Sequence, residues 1–133
     1  MRNKPALTAA DAKKMMTACL AEASKNKWNV TVAIVDDGGY PLLVERMDGC
    51  GPISAEVAVG KARTAALTRR PTKFWEDRTK ERPGFLTFPT PGVMFQGGLP
   101  LMHQNECVGA IGVSGVQSHE DEQIAQAGVG VLG

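Results

Sequence analysis

Lys61 is the charged residue whose surroundings point most directly to chemistry. It lies in an alanine-rich stretch, followed by Ala62, Ala65 and Ala66, that is predicted to form a helix packed on a sheet. Burying an unpaired ammonium costs free energy, so we expect either a protein carboxylate or a ligand anion to meet its charge. A carboxylate partner would make Lys61 structural, whereas a ligand partner would make it part of a binding site.

Three further charged residues could act together with Lys61. Arg46 ends a predicted strand, where its guanidinium would serve either a cross-strand ion pair or a clamp for a ligand carboxylate. Asp36 and Glu120 could transfer protons in a catalytic site. Asp36 and Asp37 precede two glycines, a position where aspartate commonly holds a turn, so a structural role is favoured for Asp37 and less firmly for Asp36.

The imidazoles and thiols give no metal or hydrolase signature. His103 is expected in a hairpin turn and His119 in the first turn of a helix, both as surface residues. No histidine pair at i, i+4, no Ser-His-Asp order and no G-x-S-x-G elbow is present, so no metal site is predicted. Cys19, Cys50 and Cys107 are widely spaced without a C-x-x-C pair, and we expect reduced, mostly buried thiols.

Charge is unevenly distributed along a chain that is nearly neutral overall. The net charge of +1 disfavours nucleic-acid binding driven by phosphate contacts. Residues 61–82 carry eight basic and three acidic side chains, whereas residues 106–133 carry four acidic and no basic ones. We expect two solvated surfaces or complementary patches between subunits. The alternative is an anion site where Lys61, with Arg46 or Arg82, faces the proline-rich loop.

Length and composition favour one compact domain. The chain has 133 residues, 43% of them hydrophobic, so residues 1–133 are assigned to a single domain. The long uncharged stretch at 83–105 contains four prolines and four glycines, which exclude a membrane-spanning helix there. No apolar run of the signal-peptide kind follows the N-terminus. A cytoplasmic protein without a membrane partner is therefore expected.

Hydrophobic spacing, caps and turn residues predict four helices and five strands. The helices are predicted at about 8–24, about 54–67 with Ser54 as the cap, 72 to before 83, and from Ser118 to about 131. Thr8 with Asp11, and Ser118 with Asp121, have the spacing of a capping box at the start of the first and last helices. The strands are predicted at 30–35, 41–46, 93–96, 99–102 and 107–114. The proline-rich segment 83–91 is predicted to be an irregular loop.

Five motifs occur in an order that resembles one protein family. They are Val32–Gly39, Arg46–Gly49, Lys61–Ala65, Gly97–Pro100 and Gly109–Gly115. From about residue 7 to about residue 128, the chain resembles the GlcG/HbpS-like family, also called the haem-degrading family. The matching positions are Asp36, Gly38, Gly39, Arg46, Met47, Asp48, Lys61, Thr64, Gly97, Gly98, Pro100, Gly109, Gly112, Ser114 and Gly115.

The resemblance implies an α/β, profilin-like sandwich in which a central antiparallel five-stranded sheet is flanked by helices. It also implies a homo-oligomer that binds a small ligand, with haem or a related tetrapyrrole as the leading ligand and no other cofactor. The alternative is a cofactor-independent catabolic enzyme, a lyase or isomerase, acting on a small aromatic or carboxylated metabolite. Neither histidine lies in an apolar stretch. The candidate axial donors to a haem iron are His103, His119, Met47, Cys50, Cys107 and Tyr40.

The ligand pocket is expected between the second helix, the proline-rich loop and the Gly97-Gly98 turn. Phe85 and Phe88 in that loop could cover a flat ligand. The predicted ligand-binding residues are Arg46, Met47, Lys61, Arg82, Phe85, Phe88, Gln96, Gly97, Gly98, Ser114 and Gly115.

Overall fold

The computed structural model describes residues 1–89 and 92–132. The strands are β1 (Thr31–Asp36), β2 (Pro41–Arg46), β3 (Gly98–His103) and β4 (Glu106–Ser114). The α-helices are α1 (Ala9–Lys25), α2 (Ile53–Thr68), α3 (Thr72–Glu81) and α4 (Ser118–Val129), and a 3-10 helix spans Pro83–Thr87. Within the described ranges, no helix is both long enough and apolar enough to cross a bilayer.

The sheet is antiparallel throughout, with strand order β2-β1-β4-β3. The prediction of a fifth strand at 93–96 is wrong, because this segment is irregular. The backbone N–H of Val93 donates to the carbonyl of Gly60 in α2 at 3.1 Å, so the segment is bonded to a helix and not to a neighbouring strand. The described residues therefore form a four-stranded sheet, not a five-stranded one.

Helices cover both faces of the sheet. On one face, α1 and α4 pack over fully buried side chains that include Ile34, Ile111 and Ile124. Burying side chains of this size stabilises the fold by about 1.5–3 kcal/mol each. On the other face, α2 contacts β1 and β4. A Cβ on Gly112 would lie 2.1 Å from the carbonyl oxygen of Ala58, so this close approach of helix to sheet requires glycine.

The predicted cap is confirmed for α1 but not for α2. The Thr8 hydroxyl accepts the Asp11 N–H at 3.1 Å, and the Asp11 carboxylate accepts the Thr8 N–H at 2.8 Å, which completes a capping box. Ser54 does not cap α2, because it lies inside the first turn. Its buried hydroxyl instead donates to the Gly51 carbonyl and bonds the Thr31 hydroxyl, which joins α2 to β1.

The β3–β4 hairpin turns through Gln104 and Asn105, whose φ angles are 51° and 63°. Positive φ at both central residues is the geometry of a tight two-residue turn that matches the twist of the strands. His103 pairs with Glu106 at the base of this turn. The backbone of His103 is therefore held at one end of the sheet by the hairpin.

Candidate functional site

Lys61 is fully buried in the middle of α2. Its Nζ donates to the carbonyl oxygen of Val113 at 2.9 Å and to Oδ2 of Asp121 at 3.1 Å. Asp121 is itself only 2% exposed, so the two charges form a buried ion pair. Of the two alternatives for the charge of Lys61, the structure shows the protein carboxylate, which comes from Asp121 and not from Asp36.

The Gly97-Gly98 turn and Phe95 enclose the Lys61 side chain. The Nζ atom lies 4.6 Å from the centroid of the Phe95 ring. A Cβ on Gly97 would lie 2.7 Å from this Nζ, and a Cβ on Gly98 would lie 2.5 Å from the Lys61 carbonyl oxygen. The Gly98 N–H donates to the Thr72 hydroxyl at 2.8 Å. Gly97 therefore allows the chain to cross closely over the ammonium, and Gly98 allows it to lie against the backbone of α2.

Burial shifts both partners of the ion pair towards their neutral forms. Loss of hydration lowers the pKa of Lys61, and the charge of Asp121 opposes that shift. Loss of hydration likewise raises the pKa of Asp121, opposed by the charge of Lys61 and by the Val116 N–H. The ion pair therefore offsets much of the cost of burying either group alone.

Two of the predicted ligand-binding residues, Arg46 and Ser114, lie at the same end of the sheet. Thr31 of β1 pairs with both Arg46 of β2 and Ser114 of β4, so these residues form one row across the end of the sheet. Ser114 follows Val113, whose carbonyl receives the Lys61 ammonium. Arg46 is exposed and lies two strands from Ser114.

Three other predicted residues flank this row. Met47 is half-buried against the core beneath α1 and α4. Gln96 is half-buried and immediately precedes the Gly97-Gly98 turn. Gly115 has a φ of +147°, and a Cβ there would lie 2.7 Å from the Asn29 carbonyl oxygen. Gly115 therefore has a backbone role, which is to end β4 beside the loop that precedes β1.

The carboxylates of Asp36 and Glu120 do not bond Lys61; each accepts backbone N–H groups of its own turn. Asp36 lies at the opposite end of β1 from Thr31, and its Oδ1 accepts the N–H groups of Gly38 and Tyr40, each at 2.9 Å. Glu120 accepts the Gln117 N–H at 3.1 Å as part of the α4 capping box. The structure thus does not assemble the predicted catalytic set of Lys61, Arg46, Asp36 and Glu120 in one place.

Phe85 and Phe88 pack on Trp75 of α3. Their ring centroids lie 5.4 Å and 5.0 Å from that of Trp75, in tilted and edge-on arrangements that favour aromatic packing. The guanidinium of Arg82 stacks over Phe85 at 5.2 Å. These three predicted ligand contacts therefore form an aromatic cluster with α3. An open groove lined by Trp75, Phe88 and Pro89 lies beside the cluster.

The expected pocket is largely occupied by the chain itself where the structure describes it. Residues 92–96 lie directly on α2, since a Cβ on Gly60 would come within 2.6 Å of the Val93 side chain. The remaining part of the expected pocket wall, Thr90 and Pro91, lies outside the described residues.

A cavity of 290 Å³ lies on the other side of the molecule, between the N-terminal segment, α1 and the β3–β4 hairpin. It is more enclosed than the open grooves elsewhere on the surface. His103 is half-buried at its edge. The remaining lining residues are Pro5, Ala6, Leu7, Asp11, Lys14, Met15, Val108, Val131 and Leu132. The sequence places His103 in a polar turn, but the fold brings apolar side chains from distant segments beside it.

The other candidate axial donors lie in different surroundings. His119 is exposed, in a shallow groove lined by Glu22, Glu122 and polar residues. Tyr40 is exposed and stacks with the Arg63 guanidinium at 5.4 Å. The remaining candidates are the half-buried Met47 and Cys50 and the buried Cys107. Across residues 1–89 and 92–132, no group of three or more His, Cys, Asp or Glu side chains could hold a metal ion.

A family model supports the resemblance found in the motifs. The model described as "Haem degrading protein HbpS-like" matches residues 7–130. The chain belongs to the HbpS-like family. Protein GlcG of Escherichia coli strain K12 is 42% identical to this HbpS-like chain over 115 residues, which cover 86% of the chain and 85% of GlcG.

Two solved structures show the same HbpS-like fold. The crystal structure of a double mutant of Streptomyces reticuli HbpS matches with a TM-score of 0.93 and 36% identity, covering 100% of this chain and 91% of that chain. The crystal structure of a PduOC:haem complex matches with a TM-score of 0.86 and 28% identity, covering 95% and 94% of the two chains. The α/β fold with a helix-flanked antiparallel sheet is therefore confirmed.

Asp121 is the residue of this HbpS-like chain that sequence reasoning assigned to the wrong task. The spacing of Ser118 and Asp121 suggests a capping box, but the observed box is formed one residue earlier by Gln117 and Glu120. This leaves both Asp121 oxygens free, one for Lys61 and one for the Val116 N–H at 3.1 Å. The isolated lysine in an alanine-rich helix indicates that either a protein carboxylate or a ligand anion meets its charge, but it does not indicate which acid.

Proposed function

We propose that this protein binds haem or a related tetrapyrrole and that it does so as a homo-oligomer. Membership of the HbpS-like family and the likeness to a haem complex support the ligand class. The observation on this chain that carries the proposal is the cavity beside His103, which combines an imidazole with apolar walls.

The residues of this cavity fit the chemistry of haem. A haem-binding protein supplies a donor to the iron, apolar contact for the ring and polar groups at the edge. Here His103 provides an imidazole, Leu7 and Val108 provide apolar contact, and the exposed Lys14 provides a cation for a propionate. When bound, the iron would supply any redox chemistry, whereas these side chains bind and orient the group.

The size of the cavity connects ligand binding to assembly. Its 290 Å³ lies at the lower end of the range for small-molecule sites, which is about 300–1,000 Å³. A flat tetrapyrrole would therefore enter by one edge and leave the rest of the ring to be covered from outside. A second subunit is the cover that we propose.

The sheet edge formed by β2, opposite β3 and the His103 cavity, supports assembly independently of the cavity. β2 is an edge strand, and Leu42 and Val44 on it are 40% and 39% exposed. Val44 borders an open groove with Val59 and Arg63 of α2. An edge strand with unpaired backbone groups and exposed apolar side chains is a surface that proteins commonly cover by association.

The binding function is favoured over the catalytic alternative by the state of the charged residues. A catalytic site would need Lys61 or Arg46 to hold a substrate carboxylate, but the Lys61 ammonium already meets Asp121, and Arg46 lies at the opposite end of β1 from Asp36. Asp36 and Glu120 are engaged by backbone N–H groups of their own turns. The geometry therefore offers a ligand cavity more readily than a set of reacting groups.

Absorbance spectroscopy and light scattering test the proposal. Titration of the purified protein with haem should give a saturable Soret band, with a break at a fixed ratio of haem to protomer. Light scattering should give a mass well above the 14.1 kDa of one chain. The absence of a saturable band would reject haem binding, and a monomer at micromolar concentration would reject assembly.

A further inference from the structure

We infer that His103 is the protein ligand to the tetrapyrrole metal and that its cavity receives the edge of the ring. The inference rests on the proposed binding function and deepens it, because it assigns the binding site to the cavity between the N-terminal segment, α1 and the β3–β4 hairpin. It also gives the two histidines different roles: His103 coordinates the metal, and His119 is a surface residue.

The backbone around His103 gives its side chain a fixed position. The residue ends β3 and pairs with Glu106, and the following residues, Gln104 and Asn105, form the tight turn. A coordinating residue at the end of a strand has less conformational freedom to lose on binding the metal than one on a long loop. The hairpin therefore pre-positions the imidazole at the cavity edge.

The cavity walls come from segments that are far apart in sequence. Leu7 lies ahead of α1, Val108 lies in β4, and Leu132 follows α4. Val108 is only 3% exposed and belongs to the main hydrophobic core, so the inner wall is rigid. Apolar walls around an imidazole provide the water-poor environment that tunes a coordinated metal.

Asp11 and Lys14 supply polar groups next to the ring. The Asp11 carboxylate and the His103 imidazole line the same cavity, so the two groups lie near each other. Histidine ligands usually donate their second ring N–H to a carboxylate or carbonyl, and Asp11 can take that positioning role. The exposed ammonium of Lys14 can pair with a propionate.

The surroundings of His119 make it the natural comparison. It is exposed in a shallow groove whose lining includes Glu22 and Glu122. These two carboxylates have no lysine or arginine beside them in the groove lining and would repel haem propionates, whereas the single carboxylate in the His103 cavity, Asp11, is accompanied by Lys14. The groove lining contains one apolar residue, Ala127. The sequence supplies two histidines, and the fold gives only one of them a site suited to a tetrapyrrole.

The test compares His103→Gly with His119→Gly in the full-length protein, using haem as the probe. Wild type and His119→Gly should show the same Soret maximum and affinity. His103→Gly should show a shifted band and binding weaker by roughly tenfold or more, since loss of even an outer-shell partner of a metal ligand costs about 10–100-fold. Free imidazole added to His103→Gly should restore the wild-type band.

Two further measurements keep the result interpretable. Thermal melts without haem should agree between the two glycine variants, because both residues lie at exposed or half-exposed element ends. Ala6→Trp, which narrows the cavity from its exposed rim, should weaken binding and leave the imidazole in place. A His103→Gly protein with the wild-type spectrum and affinity overturns the assignment while haem binding stands. A wild type without any saturable band overturns both proposals.

Discussion

Replacing Lys61 by Met tests the buried ion pair directly. Methionine keeps most of the aliphatic length that packs beneath Gly97 but leaves the Asp121 carboxylate without its cation. Removing one partner of a buried pair typically costs about 3–5 kcal/mol, and a domain of this kind has only about 5–15 kcal/mol to lose. We therefore expect Lys61→Met to lower the free energy of unfolding by at least about 3 kcal/mol.

The double variant Lys61→Met/Asp121→Asn is the matched control. Asparagine has no charge to strand, and its side-chain oxygen can still accept the Val116 N–H that Asp121 accepts at 3.1 Å. A buried pair replaced by neutral groups of similar volume often costs little. The double variant should thus recover most of the stability lost in the single one. Urea unfolding followed by circular dichroism, at one protomer concentration, measures all three proteins.

The pH dependence of the stability of Lys61→Met also tests whether the unpaired Asp121 carboxylate causes the loss. Burial raises the pKa of Asp121, and Lys61→Met removes an influence that lowers it. A carboxyl with a higher pKa in the folded than in the unfolded chain takes up a proton on folding, so it favours folding more as pH falls. The loss in free energy of unfolding caused by Lys61→Met should therefore become smaller as the pH falls from neutrality towards 3.8, the ordinary pKa of an aspartate.

Two outcomes would refute this reasoning about Lys61. A single variant as stable as wild type at neutral pH would show that Asp121 does not depend on the ammonium. A double variant as unstable as the single one would show that lost packing, and not the stranded charge, causes the loss.

Three further predictions concern other parts of the fold. Burial raises the pKa of the Cys19 thiol to about 12, so Cys19 should react very slowly with alkylating agents. Brief treatment of the native protein with iodoacetamide should therefore modify the half-buried Cys50 and leave Cys19 unmodified, which peptide mass spectrometry would measure. Thr8→Ala removes the hydroxyl that accepts the Asp11 N–H and should cost about 1 kcal/mol in urea unfolding. The Thr8 N–H, which alanine keeps, lowers the pKa of Asp11 most, and the Thr8 hydroxyl lowers it further, so the share of the loss that comes from the bond of the hydroxyl to the carboxylate should be present at neutral pH and fade in acid below 3.8. Gly112→Ala places a Cβ 2.1 Å from the Ala58 carbonyl oxygen of α2, so it should destabilise the fold by at least about 1–3 kcal/mol and lower the melting temperature. An unchanged melting temperature would contradict the close packing of α2 on β4.

The sequence predicts the elements well where the signal is local. The β-branched run that forms β1 and the Thr8 cap depend on neighbouring residues, and both form as expected. The turn before the two glycines also forms, but Asp36 and not Asp37 holds it, because the Asp37 carboxylate pairs with Lys4. The segment 93–96 fails because the Val93 N–H bonds a carbonyl of α2 instead of a neighbouring strand, and strand-like composition cannot tell a helix partner from a strand partner. Tertiary contacts decide that element.

The site is less predictable than the fold for a related reason. The need of Lys61 for a buried acid follows from its alanine-rich helix, but the choice of Asp121 depends on where the last helix docks. His103 is more distant still, since its apolar neighbours Leu7 and Leu132 lie near opposite ends of the chain. Only the folded chain brings those ends to one hairpin.

The strand order has a consequence for how the chain folds. The central pairing joins β1, near the N-terminus, to β4, which begins at Glu106, so the middle of the sheet closes only after most of the chain has been synthesised. Pairings between distant segments slow folding, because a long loop must be closed before the contacts form. Until then the β1–β2 hairpin exposes an unpaired edge and the apolar side chains of Val32 and Ile34, and the nascent chain is at that stage most prone to aggregate.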